Sequence, residues 1–458
     1  MRRRAVGAIV GATALVLASA GYLVADAHDA VPGVLTLSDA PAPSEAPTLT
    51  PRSPGPSPDA AQSGTAMTPS QVETLWAPVL RAAGEGKWTS WGTVLDADTG
   101  EVLLDAGASR AHTPASTTKI LTAVSALSHL RASDTLATGT SLSGTDLYLW
   151  GQGDLLLARG HGDADAVDGH AGVADLTDAT VSVLKEQGIT HVTLYWDDQL
   201  FEGPAHLQAW DDQGVGNFEG RVGAFAIDTG RTSAGAYSFV PDPARDVATE
   251  LAANLRDAGI EAEVASTTGV PDRAQEIARV DSATIGQQVR WLLQHSDNTL
   301  ADQYCRLAAR SAGAPTTFAG AVQTLTGTLT DLGVTTTGLK LEDCSGLSSS
   351  DRISAATLAG AIRTTMDSST PQLRDLVRSL PWGGLEGTLG ERYTQGDAAA
   401  NAQAKTGSLG AVSSLAGVVD TTSGRTLVFA IGNDDVPDGG AYWTRSALDE
   451  FIQGLAAL

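Results

Sequence analysis

Ser116 and Lys119 stand three positions apart in the stretch PASTTKILTA, residues 114–123. On a helix, positions i and i+3 share a face about one turn apart, so the two side chains can touch. A serine hydroxyl is a weak nucleophile until a base removes its proton, and a neutral lysine amine can act as that base. The apolar neighbours of Lys119 favour its neutral form, because low dielectric disfavours an ammonium. The use of lysine at all is informative. The chain has 29 basic residues but only five lysines, at 87, 119, 185, 340 and 405. Arginine serves where charge alone is needed, and only lysine readily gives up its proton. Taken alone, the same pair also describes a serine helix cap and a snorkelling surface lysine.

Two further groups have chemistry within reach. Ser296-Asp297-Asn298 lies in WLLQHSDNTLADQ, where one helical pattern ends and another opens. A serine hydroxyl there can relay a proton to a leaving amine, and an asparagine amide can hold a carbonyl. The same three residues also suit an ordinary helix–helix turn. Lys405-Thr406-Gly407, followed by Ser408, opens a strand pattern. A cation beside hydroxyls suits a substrate carboxylate, and glycine lets a chain lie close to the strand. A plain turn into a strand reads equally well from these residues alone. The order S-x-x-K, S-D-N, K-T-G is far more specific, being the signature of penicillin-binding proteins and serine β-lactamases.

These residues must be positioned by strands and helices drawn from both ends of the chain. Thr68 or Ser70 can cap a helix carrying Val72, Leu75, Trp76, Val79 and Leu80. Two apolar runs flank Asp98-Thr99-Gly100, a hairpin signal. After His112 the period turns helical, through Ile120, Leu121, Val124, Leu127 and Leu130. A second hairpin turns at Thr422-Ser423-Gly424, and a closing amphipathic helix follows. The pattern predicts an α/β (α+β) fold in which strands from both termini share one antiparallel sheet covered by helices. Residues 141–275 carry their own strand-like runs with fewer long helices, and read as an insertion dividing a catalytic domain of 70–140 and 276–458.

The chain has 458 residues, 42% apolar and 18% charged, with a net charge of −24. Such acidity disfavours nucleic acid and anionic membrane surfaces as partners. Arg2, Arg3 and Arg4 precede an apolar run to about Val24, so residues 1–25 read as an export signal or a membrane anchor. Either reading puts the bulk of the chain outside the cytoplasmic membrane, joined to the membrane only through that segment. Residues 26–69 are Pro/Ser/Ala-rich and read as a disordered spacer. In an exported chain, Cys305 and Cys344 suit a disulfide worth roughly 3–4 kcal/mol, with two buried thiols as the other possibility. The stretch HGDADAVDGH, 161–170, fails the calcium-loop spacing and reads as a solvated loop.

With these motifs on the page, the chain resembles the penicillin-binding D-alanyl-D-alanine carboxypeptidases/endopeptidases of the low-molecular-mass class C type. The resemblance spans roughly residues 70–458. Beyond the motifs it is carried by DLYLWGQGDLLL, VGAFAIDTGR, LEDCSGLSSSDRIS and AKTGSLGAVSSLAGVV. It implies a β-lactamase/transpeptidase-like domain with a five-stranded antiparallel sheet and a large insertion between the first two motifs. It also implies peptidoglycan stem peptides as substrate, covalent inhibition by β-lactams, and no metal or cofactor. Ser116 would be the nucleophile and Lys119 its base, its amine depressed further by Lys405. Ser296 and Asn298 would be the relay and the orienting amide. Lys405, Thr406, Gly407 and Ser408 would receive the terminal carboxylate, and backbone N–H groups of Ser116 and Ser408 the oxyanion. Trp210 and Asp211 would contact the amino end of a diamino-acid side chain. The family's usual Gly-Asp-Pro is here Gly153-Asp154-Leu155, and Cys344 stands where glycine is common. A non-catalytic wall-binding scaffold and a β-lactamase are the other readings. The first predicts decayed motifs, the second a deacylating glutamate that the sequence alone does not single out.

Overall fold

Thr89–Asp96 and Val102–Ala106 pair as a hairpin around Asp98-Thr99-Gly100, with Gly100 in the left-handed region at φ +72°. In the computed structural model, which describes residues 67–437, 440 and 444–458, this hairpin joins three strands from the far end of the chain. The sheet runs Ala402–Leu409, Val412–Asp420, Thr426–Asp434, Thr89–Asp96, Val102–Ala106, and every neighbouring pair is antiparallel. Residues 1–66, on which the expected leader and most of the expected spacer fall, lie outside the described residues.

Both faces of this sheet are covered. Successive strand residues point to opposite sides, and here both sides are apolar. Val94, Leu415, Val419, Phe429 and Ile431 join one core with helices Pro69–Gly86 and Arg445–Ala456. Trp91, Ala416, Val418, Val428 and Ala430 join another with helices Thr118–His129, Asn298–Ser311 and Ala355–Met366. The first helix starts as its sequence predicts, with Gln71 Oε1 accepting from both the backbone N–H and the hydroxyl of Thr68.

The segment between the first two motifs builds a second five-stranded sheet, ordered Gln275–Asp281, Ala137–Ser143, Asp146–Gly151, His191–Trp196, Glu261–Thr267. Its last two pairings are parallel, and parallel neighbours need crossover connections. Helices Val173–Glu186 and Pro243–Asp257 supply them. Their apolar stripes, with Leu176, Leu184, Val247 and Leu251, form a core with the strands. The insertion is no detached body, since Gln62–Leu458 is one compact unit. Gln303 fastens it to helix Asn298–Ser311, its Nε2 donating to the carbonyls of Gly153 and Gly223 at 2.9 and 2.8 Å. Asp154, beside that clamp, is buried and accepts from the Leu156 N–H.

Candidate active site

Ser116 lies in a single 3-10 turn, Ala115–Thr117, that runs into helix Thr118–His129. The spacing therefore has the consequence expected of it. Lys119 Nζ donates to Ser116 Oγ at 3.0 Å, to Asn298 Oδ1 at 2.6 Å and to the Ser345 carbonyl at 2.7 Å. Lys119 is fully buried while Ser116 remains partly open. The residue before the nucleophile carries strain, with Ala115 at φ +48°, a region costly for a side chain with a Cβ. Two glycines let neighbouring backbone close on this turn. A Cβ on Gly346 would stand 2.0 Å from the Ala115 carbonyl, and one on Gly407 would stand 2.7 Å from the Pro114 carbonyl and 2.1 Å from Ser414 Oγ. The glycine of the third motif thus makes room for the nucleophile's own turn as well as for any chain lying along the strand.

The second and third motifs meet the first from opposite sides. Ser296 ends helix Ile285–His295 in a left-handed conformation, φ 56°, and Asp297 caps helix Asn298–Ser311 by accepting from the Leu300 N–H. The helix–helix turn and the catalytic reading are therefore both true of these residues. Lys405 Nζ donates to Ser296 Oγ at 2.9 Å and to the Thr406 carbonyl at 2.8 Å. Thr406 Oγ1 donates to Thr388 Oγ1, and the exposed Ser408 receives a hydrogen bond from Arg445. Two lysines and two hydroxyls, far apart along the chain, thus form two hydrogen-bonded pairs, Lys119 with Ser116 and Lys405 with Ser296, and the Ser296-Asp297-Asn298 segment contacts both lysines.

Burial dominates the electrostatics. It pushes the Lys119 amine down to about 8, against the pull of Glu219, Asp343, Asp302 and Asp297, each of which favours the ammonium. Lys405 is driven well below the usual lysine range by burial and by the Lys119 charge. Burial is the leading cause at Lys119, as its apolar neighbours suggested, and repulsion between the two amines adds to burial at Lys405.

Several participants escaped the sequence reading because their partners are remote. Asp302 Oδ1 accepts from the Cys344 N–H, and Asp343 Oδ1 accepts from the N–H groups of Ser345 and Gly346. These bonds hold the carbonyl of Ser345 against Lys119. Cys305 and Cys344 form a disulfide, with Cα atoms 6.3 Å apart, that ties this loop to helix Asn298–Ser311. Phe218 O accepts from Asn298 Nδ2 at 2.9 Å, so the insertion reaches the catalytic amide. The acid-rich stretch LEDCSGLSSSDR was the one available signal.

Trp210 and Asp211 separate in role. The Trp210 ring is fully buried and its Nε1 donates to Asp343 Oδ2 at 2.7 Å. A ring without surface cannot touch a substrate, so the expected contact is corrected to support of the Asp343 loop. Asp211 is exposed, 3.2 Å from His206 Nε2, on the wall of a recess of about 470 Å³. A second recess, about 380 Å³, is lined by Ser296, Asn298, Asp168, Asp228, Arg231 and Trp291. Asp168 comes from the HGDADAVDGH loop, where His161 pairs with Asp175.

A model of the D-Ala-D-Ala carboxypeptidase 3 (S13) family matches residues 81–239 and 234–455, nearly the whole of the described chain. The chain belongs to this family. It is 33% identical over 398 residues to a carboxypeptidase of Mycobacterium tuberculosis, covering 84% of each chain. It is 34% identical over 379 residues to carboxypeptidase DacB of Mycolicibacterium smegmatis, covering 78% of each. Among solved structures, the fold resembles penicillin binding protein 4 of Haemophilus influenzae, with a TM-score of 0.67 at 20% identity over 84% of this chain and 98% of that one. The S13 assignment and the three-motif network rest on separate observations, one on the whole sequence and one on local geometry.

Proposed function

We propose that the protein is an exported serine-type D-alanyl-D-alanine carboxypeptidase acting on peptidoglycan stem peptides. The observation that carries the reading is the position of Lys119 Nζ, 3.0 Å from the Ser116 hydroxyl and enclosed by Asn298 and the Ser345 carbonyl. The Ser116 Oγ–H bond breaks as Lys119 takes the proton, and Oγ bonds to the carbonyl carbon of the D-Ala–D-Ala amide. The carbonyl electrons move to oxygen, toward the backbone N–H groups of Ser116 and Ser408, a kind of stabilisation worth several kcal/mol. They return as the C–N bond breaks. The departing amine receives its proton through Ser296, which Lys405 orients. Water then hydrolyses the ester. Thr406 and Ser408 receive the terminal carboxylate in front of the buried Lys405, and Asp211 in its recess receives an amine of the stem-peptide side chain. The arginine-led apolar leader supports export. Among the described residues no helix is long and apolar enough to cross a membrane.

Endopeptidase activity is a second reading, favoured by the recess beside Ser296, on the relay side where a leaving chain longer than one D-alanine would lie. A labelled penicillin tests the main reading. The wild type is expected to gain one covalent adduct mapping to the peptide containing Ser116, and Ser116→Ala to gain none. A wild type that takes no label overturns the assignment.

A further inference from the structure

Neither the fold nor the mechanism has yet given Glu219 a use. The residue is 2% exposed, and neither carboxylate oxygen has a hydrogen-bond partner among the described residues. Buried polar groups normally have partners, and an orphaned carboxyl is costly to keep. Its position is nonetheless fixed on both sides. The preceding carbonyl, of Phe218, accepts from Asn298 Nδ2 at 2.9 Å, and the following N–H, of Gly220, donates to Thr299 Oγ1 at 2.8 Å. Asn298 in turn accepts from Lys119 at 2.6 Å. The insertion therefore delivers one dry, uncommitted carboxyl beside the segment that holds Asn298, within electrostatic reach of the catalytic lysine.

We infer that Glu219 is a positioning residue for the catalytic base, a carboxyl placed to balance the ammonium that forms when Lys119 takes the Ser116 proton. That proton transfer creates positive charge in a buried space already holding Lys405. Water is excluded, so the balancing charge must be built in. Four acids face Lys119: Glu219 from the insertion, Asp297 and Asp302 at helix Asn298–Ser311, and Asp343 from the disulfide loop. Asp297 is committed to Arg231 and to its helix cap. Asp343 is committed to three backbone N–H groups and the Trp210 indole, and Asp302 to the Cys344 N–H. Glu219 alone of the four has both oxygens free, and of the four it acts most strongly on Lys119. Burial and the three other acids hold its carboxyl well above the usual range, while Lys119 pulls it down. The two groups therefore titrate as a coupled pair, with proton and charge shared between them.

This inference rests on Lys119 being the base, and its test separates the two ideas. Penicillin acylation rates are measured against pH for the full-length wild type, Glu219→Gln and Glu219→Asp. Because the base acts when neutral, the rate rises with pH through the Lys119 midpoint. Removing the acid removes the pull toward the ammonium, so Glu219→Gln is expected to lower that midpoint by about one pH unit. Its plateau rate should fall by up to about tenfold, since a weaker base captures the serine proton less readily. Glu219→Asp keeps a carboxyl and is expected to hold the midpoint near wild type. Glu219→Met, of similar length and apolar, carries the same expectation as the glutamine variant should the latter not fold. A purely structural role would alter rate or thermal stability with the midpoint unmoved, and that result overturns the inference while leaving the base assignment intact. A wild type that is not acylated overturns both.

Discussion

Lysine at two buried positions is a costly choice, and it is also a readable one. An ammonium shielded from water gives up its proton more easily, so burial alone turns Lys119 from a charge into a base. The sign of the pH dependence follows. Below about 8 the amine is charged and cannot accept the Ser116 proton; above it the amine is free. The acylation rate constant of the wild type is therefore expected to climb as pH rises through about 8 and then level, read by stopped-flow with a chromogenic cephalosporin. A rate flat from pH 6 to 9 would contradict the base role. Which residues would react was legible from type and spacing, since i and i+3 fix a helix face whatever the remainder of the fold does. Burial as the source of that reactivity was legible too, from the apolar neighbours of Lys119, but the acids that oppose it were not. Glu219, Asp302 and Asp343 come from segments distant along the chain, and no local pattern marks an acid as dry.

Among the elements, the loop holding Asp343, Cys344 and Ser345 matters most. It supplies one of the three acceptors of Lys119 and is held by a disulfide spanning 39 residues. Replacing both Cys305 and Cys344 by serine is expected to cost roughly 3–4 kcal/mol of stability, checked by denaturant unfolding. It should also slow acylation more than it weakens pre-acylation binding of the β-lactam, because it loosens the seat of the base rather than the carboxylate site. Equal stability and rate would remove the loop from the argument. The hairpins at Gly100 and Gly424 were legible because their turn chemistry is local. The helices Val173–Glu186 and Pro243–Asp257 were passed over. Their stripes face parallel strands, and a crossover is a requirement of sheet topology rather than of local period.

For the molecule as a whole, one compact unit from Gln62 to Leu458 carries the catalytic sheet, the insertion and the network that joins them. A chain begun at Gln62 is accordingly expected to fold and to take a penicillin label at the wild-type rate, measured by intact-mass spectrometry; loss of labelling would assign the leading residues a role in the site. By itself the sequence determined the reactive types, their order, the two hairpins of the catalytic sheet and the family, because each is written in short-range spacing or in motifs read in order. Only the tertiary structure decided that the insertion reaches Asn298 through Phe218, that Trp210 supports a loop instead of touching substrate, and that four acids surround Lys119. Such facts depend on which remote surfaces come to share a water-free space, and the strength of a charge interaction is set by that space far more than by separation along the chain.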